Sequence, residues 1–155
     1  MVTLFPHQTE SLKLTSEQNR VAYYLDMGLG KTFVGSEKMK QLGAEINLVV
    51  CQKSKVEDWV QHFFQNYDDI GINNLTIKNG IELFFEDMEN YPHKQYVGVI
   101  NYDLIFRRPE LAYLKDFTLM LDESSVIQNE MSKRSKFILK KLNPANVILL
   151  SGTPT

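Results

Sequence analysis

Four short apolar runs, at residues 46–51, 96–100, 117–121 and 147–150, are nearly unbroken and rich in Val, Ile and Leu. A strand with one wet face alternates apolar and polar residues, whereas a run without alternation needs cover on both faces. The pattern therefore predicts a parallel sheet held between two layers of helix. Residues 20–25 and 75–78 are weaker strand candidates. Between the runs the period changes. Val56, Trp59, Val60, Phe63 and Phe64 recur at i, i+3, i+4, i+7 and i+8, one stripe of a helix, which reads Trp59 as core. A helix is expected to open near Lys31 and to stop at Gly43, a residue type suited to the left-handed position after a helix end. Residues 81–88 and 133–142 read as further helices, and 68–74 and 90–94 as surface loops. Strands alternating with helices predict right-handed crossovers and a three-layer α/β domain with a mainly parallel central sheet.

The chain has 155 residues, 43% hydrophobic and 23% charged, which suits one soluble domain with a real core. No repeat, low-complexity stretch or linker divides it, so residues 1–155 are read as a single domain. The formal net charge of -2 excludes a uniformly basic nucleic-acid binder and leaves only a local patch for such contacts. A single cysteine, Cys51, excludes an internal disulfide and a cysteine-based zinc site. It lies in an apolar run and is read as a small buried hydrophobe. The first eight residues do not resemble a signal peptide, and no apolar run approaches the ~20 residues of a membrane span. The expected compartment is the cytoplasm, or the nucleus in a eukaryote, with no membrane partner.

The segment Leu25-Asp26-Met27-Gly28-Leu29-Gly30-Lys31-Thr32 follows a strand candidate and opens a helix candidate. That is the setting of a phosphate-binding loop. Gly28 and Gly30 let the backbone curl so that its N–H groups, including those of Met27 and Leu29, can face phosphate oxygens. The helix that follows adds its N-terminal dipole. Lys31 is placed to neutralise the β- and γ-phosphates, and the Thr32 hydroxyl to ligate Mg²⁺. Leu25 stands where Gly or Ala is usual. The apolar run 117–121 leads straight into Asp122-Glu123. Carboxylates at the end of a buried strand are unfavourable unless they have partners. Here Asp122 would hold Mg²⁺ through water, and Glu123 would orient the attacking water. Loop and acids together indicate a P-loop nucleotide hydrolase or phosphotransferase, and kinases, transporter ATPases and GTPases share these parts.

The order of motifs resembles superfamily 2 helicases and translocases, in particular the first RecA-like ATP-binding lobe of their Swi/Snf-like branch, over residues 5–154. Residues Asp26 to Thr32 resemble motif I of that family. Leu121-Asp122-Glu123-Ser124-Ser125 with Ile127-Gln128-Asn129 resembles motif II, although Ser125 stands in place of His or Asp. Ser151-Gly152-Thr153-Pro154 resembles motif III, which in the family links nucleotide state to nucleic-acid grip. Pro6-His7-Gln8 resembles the glutamine element that reads adenine, so Gln8 implies ATP over GTP. Val49-Val50-Cys51-Gln52-Lys53-Ser54 resembles motif Ia, with Gln52 in place of proline. Lys53 and Ser54 are then candidates for phosphate-backbone contact, and Ser54 is equally placed to cap the next helix. Asn101-Tyr102-Asp103 resembles the next strand-end element, and Tyr102 either lines the nucleic-acid path or packs inside. The basic residues Lys133, Arg134, Lys136, Lys140 and Lys141 form either a solvated helix face or a nucleic-acid contact.

The resemblance implies Mg-ATP hydrolysis coupled to movement along DNA, duplex DNA in the first instance, with RNA as the other candidate partner. It also implies a second RecA-like lobe that supplies arginines from across the cleft. No segment of the chain is read as that lobe, so hydrolysis by the chain alone is expected to be very weak. The competing readings are a P-loop phosphotransferase, which would need a lid and an acceptor site, and a non-catalytic nucleotide-binding module. The intact Lys31, Thr32, Asp122 and Glu123 speak against the second.

Overall fold

The structure, a computed structural model, describes residues 19–24, 30–127, 129 and 131–151. Six strands form one sheet: β1 (Arg20–Tyr24), β2 (Ile46–Cys51), β3 (Ile70–Asn74), β4 (Gln95–Asn101), β5 (Thr118–Asp122) and β6 (Asn146–Ser151). Their order is β1-β6-β5-β2-β4-β3 and every pairing is parallel. The chain is thus an all-parallel α/β domain. β2, β4 and β5 are buried along almost their whole length, which is why their sequences show no alternation.

Helices α1 (Lys31–Leu42) and α2 (Val56–Asn66) cover one face of the sheet. There Val34, Met39, Trp59 and Phe63 pack on Val49, Val97, Val99, Met120 and Ile148. The other face carries α3 (Gly80–Asn90), α4 (Tyr102–Ile105), the 3₁₀ segment Pro109–Tyr113 and α5 (Lys133–Lys136). Its core joins Phe84, Ile105, Leu111 and Phe137 to Leu48, Val50, Ile100 and Leu119. Each sheet residue therefore feeds one of two cores according to its parity along the strand. Among the described residues no helix is long and apolar enough to cross a membrane.

Helix α1 ends as expected, with Gly43 at φ 73° donating its N–H to the Met39 carbonyl. Three other expectations need correction. The third strand in sequence lies at Ile70–Asn74, inside a segment expected to be a loop, and the expected strand at 75–78 is a turn. Gly71, Asn73 and Asn74 hid this edge strand. Asn73 is occupied by Asp87, to which its amide donates at 2.9 Å. Asn74 Oδ1 accepts from the Thr76 N–H at 2.9 Å and so turns the chain out of the strand. Phe64, placed on the apolar stripe of α2, is 77% exposed, since the stripe is narrower than its spacing suggested. Residues 133–142 begin as an α-helix and continue as a π turn over Phe137–Lys141, closed by the Leu142 N–H on the Phe137 carbonyl at 3.2 Å.

Candidate active site

The sheet register aligns the carboxyl ends of five strands at one edge. Tyr24 lies beside Ser151, Asp122 beside Leu150, Leu121 beside Val50, and Cys51 beside Asn101. Parallel α/β sheets bind their ligands at this edge, where the loops into the following helices open. Gly30 caps α1 in the left-handed region, φ 75° and ψ 37°, and its carbonyl accepts from the N–H groups of Phe33 and Val34. The first amides of α1 have no acceptor within their own helix, so its N-terminus is a pole of positive potential beside the sheet edge.

Lys31 is the first residue of α1 and is 7% exposed. Its ammonium donates to Glu123 Oε1 and lies 3.2 Å from Asp122 Oδ1. The contact with Asp122 is an ion pair, and Oδ1 is buried with no other polar partner among the described residues. Burial pulls the Lys31 pKa down, but the Glu123 hydrogen bond and the Asp122 charge outweigh it, and the ammonium is held above its usual 10.5. Glu123 adopts φ 57°, a conformation that few side chains take up without local compensation, and this turns its carboxylate back over the strand end toward Lys31.

Two further side chains hold Asp122. The Trp59 indole N–H donates to Oδ2 at 2.9 Å, and the Tyr102 hydroxyl donates to the main-chain carbonyl at 2.7 Å. Both residues are 2% exposed. Sequence reasoning had Trp59 as plain core and left Tyr102 between packing and nucleic acid; both are buried struts of the acidic strand end. A buried indole N–H usually finds an acceptor, and that need was the available signal for Trp59. Behind Thr32 lies another polar chain. Ser36 Oγ donates to the Thr32 carbonyl at 2.7 Å and lies 2.7 Å from His62 Nε2. The serine hydrogen is already committed, so His62 Nε2–H is the donor and its Nδ1 faces the Asn66 amide at 3.4 Å. Burial pushes the His62 pKa down to about 4, so the ring is neutral.

The motifs imply Mg²⁺ at this sheet edge. Asp122 Oδ1 is a buried carboxylate oxygen without a hydrogen-bond partner among the described residues, and Thr32 contributes a half-buried hydroxyl at the same helix terminus as Lys31. Hard oxygen donors in small number suit Mg²⁺, which keeps several of its own waters. The residues fit the ion.

Of the other candidates, Lys53 and Ser54 are exposed in the 3₁₀ turn Lys53–Lys55 that leads into α2. No side chain caps α2; Lys55 occupies its N-cap, so Ser54 does not act as that cap. Lys53 lines a cavity of about 260 Å³ with Gln52, Tyr102, Asp103, Val126 and Arg134. Arg134, from the basic segment, is paired there with Asp103 at 2.7 Å. Ser151 is 1% exposed at the end of β6. Cys51 is fully buried, and burial pushes its thiol up to about 12, as an inert core residue requires. Gln8, Met27, Gly28, Leu29 and Thr153 lie outside the described residues.

Comparison with known proteins gives this geometry its context. No curated protein matches the sequence. The SWI2/SNF2 ATPase core of Sulfolobus solfataricus, solved in complex with dsDNA, superposes with a TM-score of 0.80 at 23% identity, over 99% of this chain and 32% of that one. A nuclease-deletion mutant of the Type ISP restriction-modification enzyme LlaGI, solved with a DNA substrate mimic, superposes with a TM-score of 0.76 at 14% identity, over 99% of this chain and 18% of that one. The chain therefore spans about a third or less of these proteins, and the likeness establishes a shared RecA-like fold. The SNF2-related domain matches residues 7–155, nearly the whole sequence. With the sheet order and the match agreeing along the chain, the protein belongs to the SNF2-related domain family, within the Swi/Snf-like branch of superfamily 2.

Proposed function

We propose that the chain is the first nucleotide-binding lobe of a DNA-dependent motor ATPase, in which Mg-ATP hydrolysis drives movement along duplex DNA. The observation that carries this reading is the convergence of Lys31 on Asp122 and Glu123 at the sheet edge. A lysine at a helix N-terminus, facing two strand-end carboxylates, matches the charge pattern of a nucleotide triphosphate with its metal. When nucleotide enters, Lys31 exchanges Glu123 for the β- and γ-phosphates. That exchange frees Glu123 to accept a proton from an attacking water. Thr32 and Asp122 would hold Mg²⁺, in part through water, and the bound ion would supply positive charge to the phosphates. The backbone of Met27, Gly28, Leu29 and Gly30 cradles the phosphates, and Gln8 reads the adenine edge.

Two structural relatives were solved with DNA, which supports DNA as the partner of this chain. Lys53 and Ser54 at the end of β2, with Arg134 across the 260 Å³ cavity, are assigned to the phosphate backbone. Tyr102 serves from beneath them, and Ser151 lies at the end of β6, where a change in nucleotide state would be felt; Thr153, outside the described residues, is assigned to the same role. A second RecA-like lobe is the further partner, facing the same edge and completing the ATP site.

The test is calorimetric titration with Mg-ATP and Mg-ADP, with Lys31→Ala alongside. Binding that the substitution abolishes is the expected result, and equal binding by both proteins overturns the assignment. For the nucleic-acid face, Lys53→Ala and Arg134→Ala should each weaken DNA binding across sequences and lower its salt slope by about 1.

A further inference from the structure

Helix α2 reaches both residues assigned to the metal, Asp122 directly and Thr32 through Ser36. Trp59 donates to Asp122 Oδ2 at 2.9 Å, and one turn on His62 donates to Ser36, which in turn holds the Thr32 carbonyl at 2.7 Å. The helix starts directly after the 3₁₀ turn that carries Lys53 and Ser54. Trp59 fixes how the two oxygens of Asp122 are turned, one toward the indole and one toward the Lys31 ammonium. Oδ2 takes the indole hydrogen, whereas Oδ1 is buried, faces the Lys31 ammonium at 3.2 Å as an ion pair, and has no directed hydrogen bond among the described residues. Turning the carboxylate plane away from the indole would break the hydrogen bond and bury an unpaired N–H, which is costly.

From this arrangement we infer that Trp59 is a positioning residue for metal binding: its indole N–H locks the Asp122 carboxylate so that Oδ1 is presented to Mg²⁺. The inference rests on the reading of the site given above. Phe at position 59 would keep much of the ring packing against Phe63 and lose the hydrogen bond. A merely structural Trp59 would then leave metal dependence unchanged, whereas a positioning Trp59 would not.

The protein offers a direct probe, since it contains one tryptophan and so one indole N–H resonance. The 155-residue chain, labelled with ¹⁵N, is titrated with ADP in EDTA, with Mg²⁺ alone and with Mg-ADP. The indole resonance is expected to move with Mg-ADP and to stay in place with ADP in EDTA. In parallel, the ratio of ADP affinities with and without Mg²⁺ is measured for the wild type and Trp59→Phe, and it should fall about tenfold in the variant, the worth of one hydrogen bond to a charged group. If Lys31→Ala loses nucleotide while Trp59→Phe keeps the full gain from Mg²⁺, the site reading stands and this inference fails. An indole resonance in the wild type that ignores Mg-ADP while nucleotide binds also overturns it, without any need for the variant to fold. A wild-type chain that binds no nucleotide and whose indole ignores Mg²⁺ sinks the inference and the site reading together.

Discussion

The Tyr102 hydroxyl donates to the main-chain carbonyl of Asp122 at 2.7 Å, across 20 residues of sequence and from the first residue of α4. β4 and β5 are not neighbours in the sheet, because β2 runs between them. The phenol thus reaches past one strand to brace the end of another. Tyr102→Phe keeps the ring and leaves the Asp122 carbonyl without its side-chain donor. Stability should fall by about 1–3 kcal/mol, as expected for an unsatisfied buried acceptor. Urea denaturation of the two proteins measures this, and an unchanged midpoint would mean that the bond contributes nothing.

Lys31→Ala should destabilise the chain as well as weaken nucleotide binding, because two carboxylates would then share a strand end without a cation. Asp122 is 6% exposed, but Glu123 is more open to water, so the cost is set at about 2–3 kcal/mol, below the figure for a fully buried pair. The pH dependence has a definite sign. The folded-state pKa of Lys31 lies above 10.5, so its contribution is complete below 10.5 and disappears as pH rises through the raised value. The stability gap between wild type and variant should stay constant from neutral pH to about 10 and close above that. A gap that widens in alkali would contradict the geometry.

His62 gives the opposite window. Its folded-state pKa is lowered from 6.5 to about 4, chiefly by burial, so the unfolded chain binds the proton more readily. Stability from the neutral ring is therefore present above 6.5 and is lost as pH falls from 6.5 toward 4, by on the order of 2–3 kcal/mol. His62→Gln keeps an N–H for Ser36 and has no proton to gain. Thermal melts at pH 7.5 and pH 5 should show a smaller drop for this variant than for the wild type; equal drops would rule out His62 as the titrating group.

Two glycines should answer differently to the same substitution. A methyl on Gly35 would come 2.7 Å from Met120 Sδ and 3.0 Å from Leu150 Cδ1, both ends of flexible side chains. Gly35→Ala also gains helix propensity of about 1 kcal/mol, so its net effect should be small. A methyl on Gly80 would run into the Asn74 carbonyl and lie 2.9 Å from Leu75 Cα, which are backbone atoms that cannot rotate away. Gly80→Ala should therefore cost about 2 kcal/mol or more through overpacking. Calorimetric melting temperatures compare the pair, and a larger loss at Gly35 would show that α1 sits on the sheet more rigidly than α3 does.

The parts of the fold that the sequence revealed are those where burial is two-sided. Ile46–Cys51 and Thr118–Asp122 are covered above and below, so their composition alone marks them as interior strands. Ile70–Asn74 lies at the edge, and its polar residues are satisfied by Asp87 and by a turn, information that no local pattern carries. The site divides in the same way. Lys31, Asp122 and Glu123 were legible because charge at a strand end or helix start needs a reason. Trp59, His62, Ser36 and Tyr102 were not, because their roles depend on partners between 4 and 63 residues away in sequence. The Arg134–Asp103 pair was equally hidden, being set by the docking of α5 against α4.

The pairing of β1 with β6 has a consequence for how the protein is made. In the described sheet β1 is an outer strand bonded to β6 alone, with Arg20 opposite Val147 and Tyr24 opposite Ser151. During synthesis the early strand has no native neighbour until residues 146–151 have left the ribosome. Pairing across so long a stretch of chain is slow, and the segment must wait while β2, β4 and β5 assemble. The strand that leads into the proposed phosphate loop is then among the last to dock, so on that proposal nucleotide is first held only once the rest of the sheet is complete.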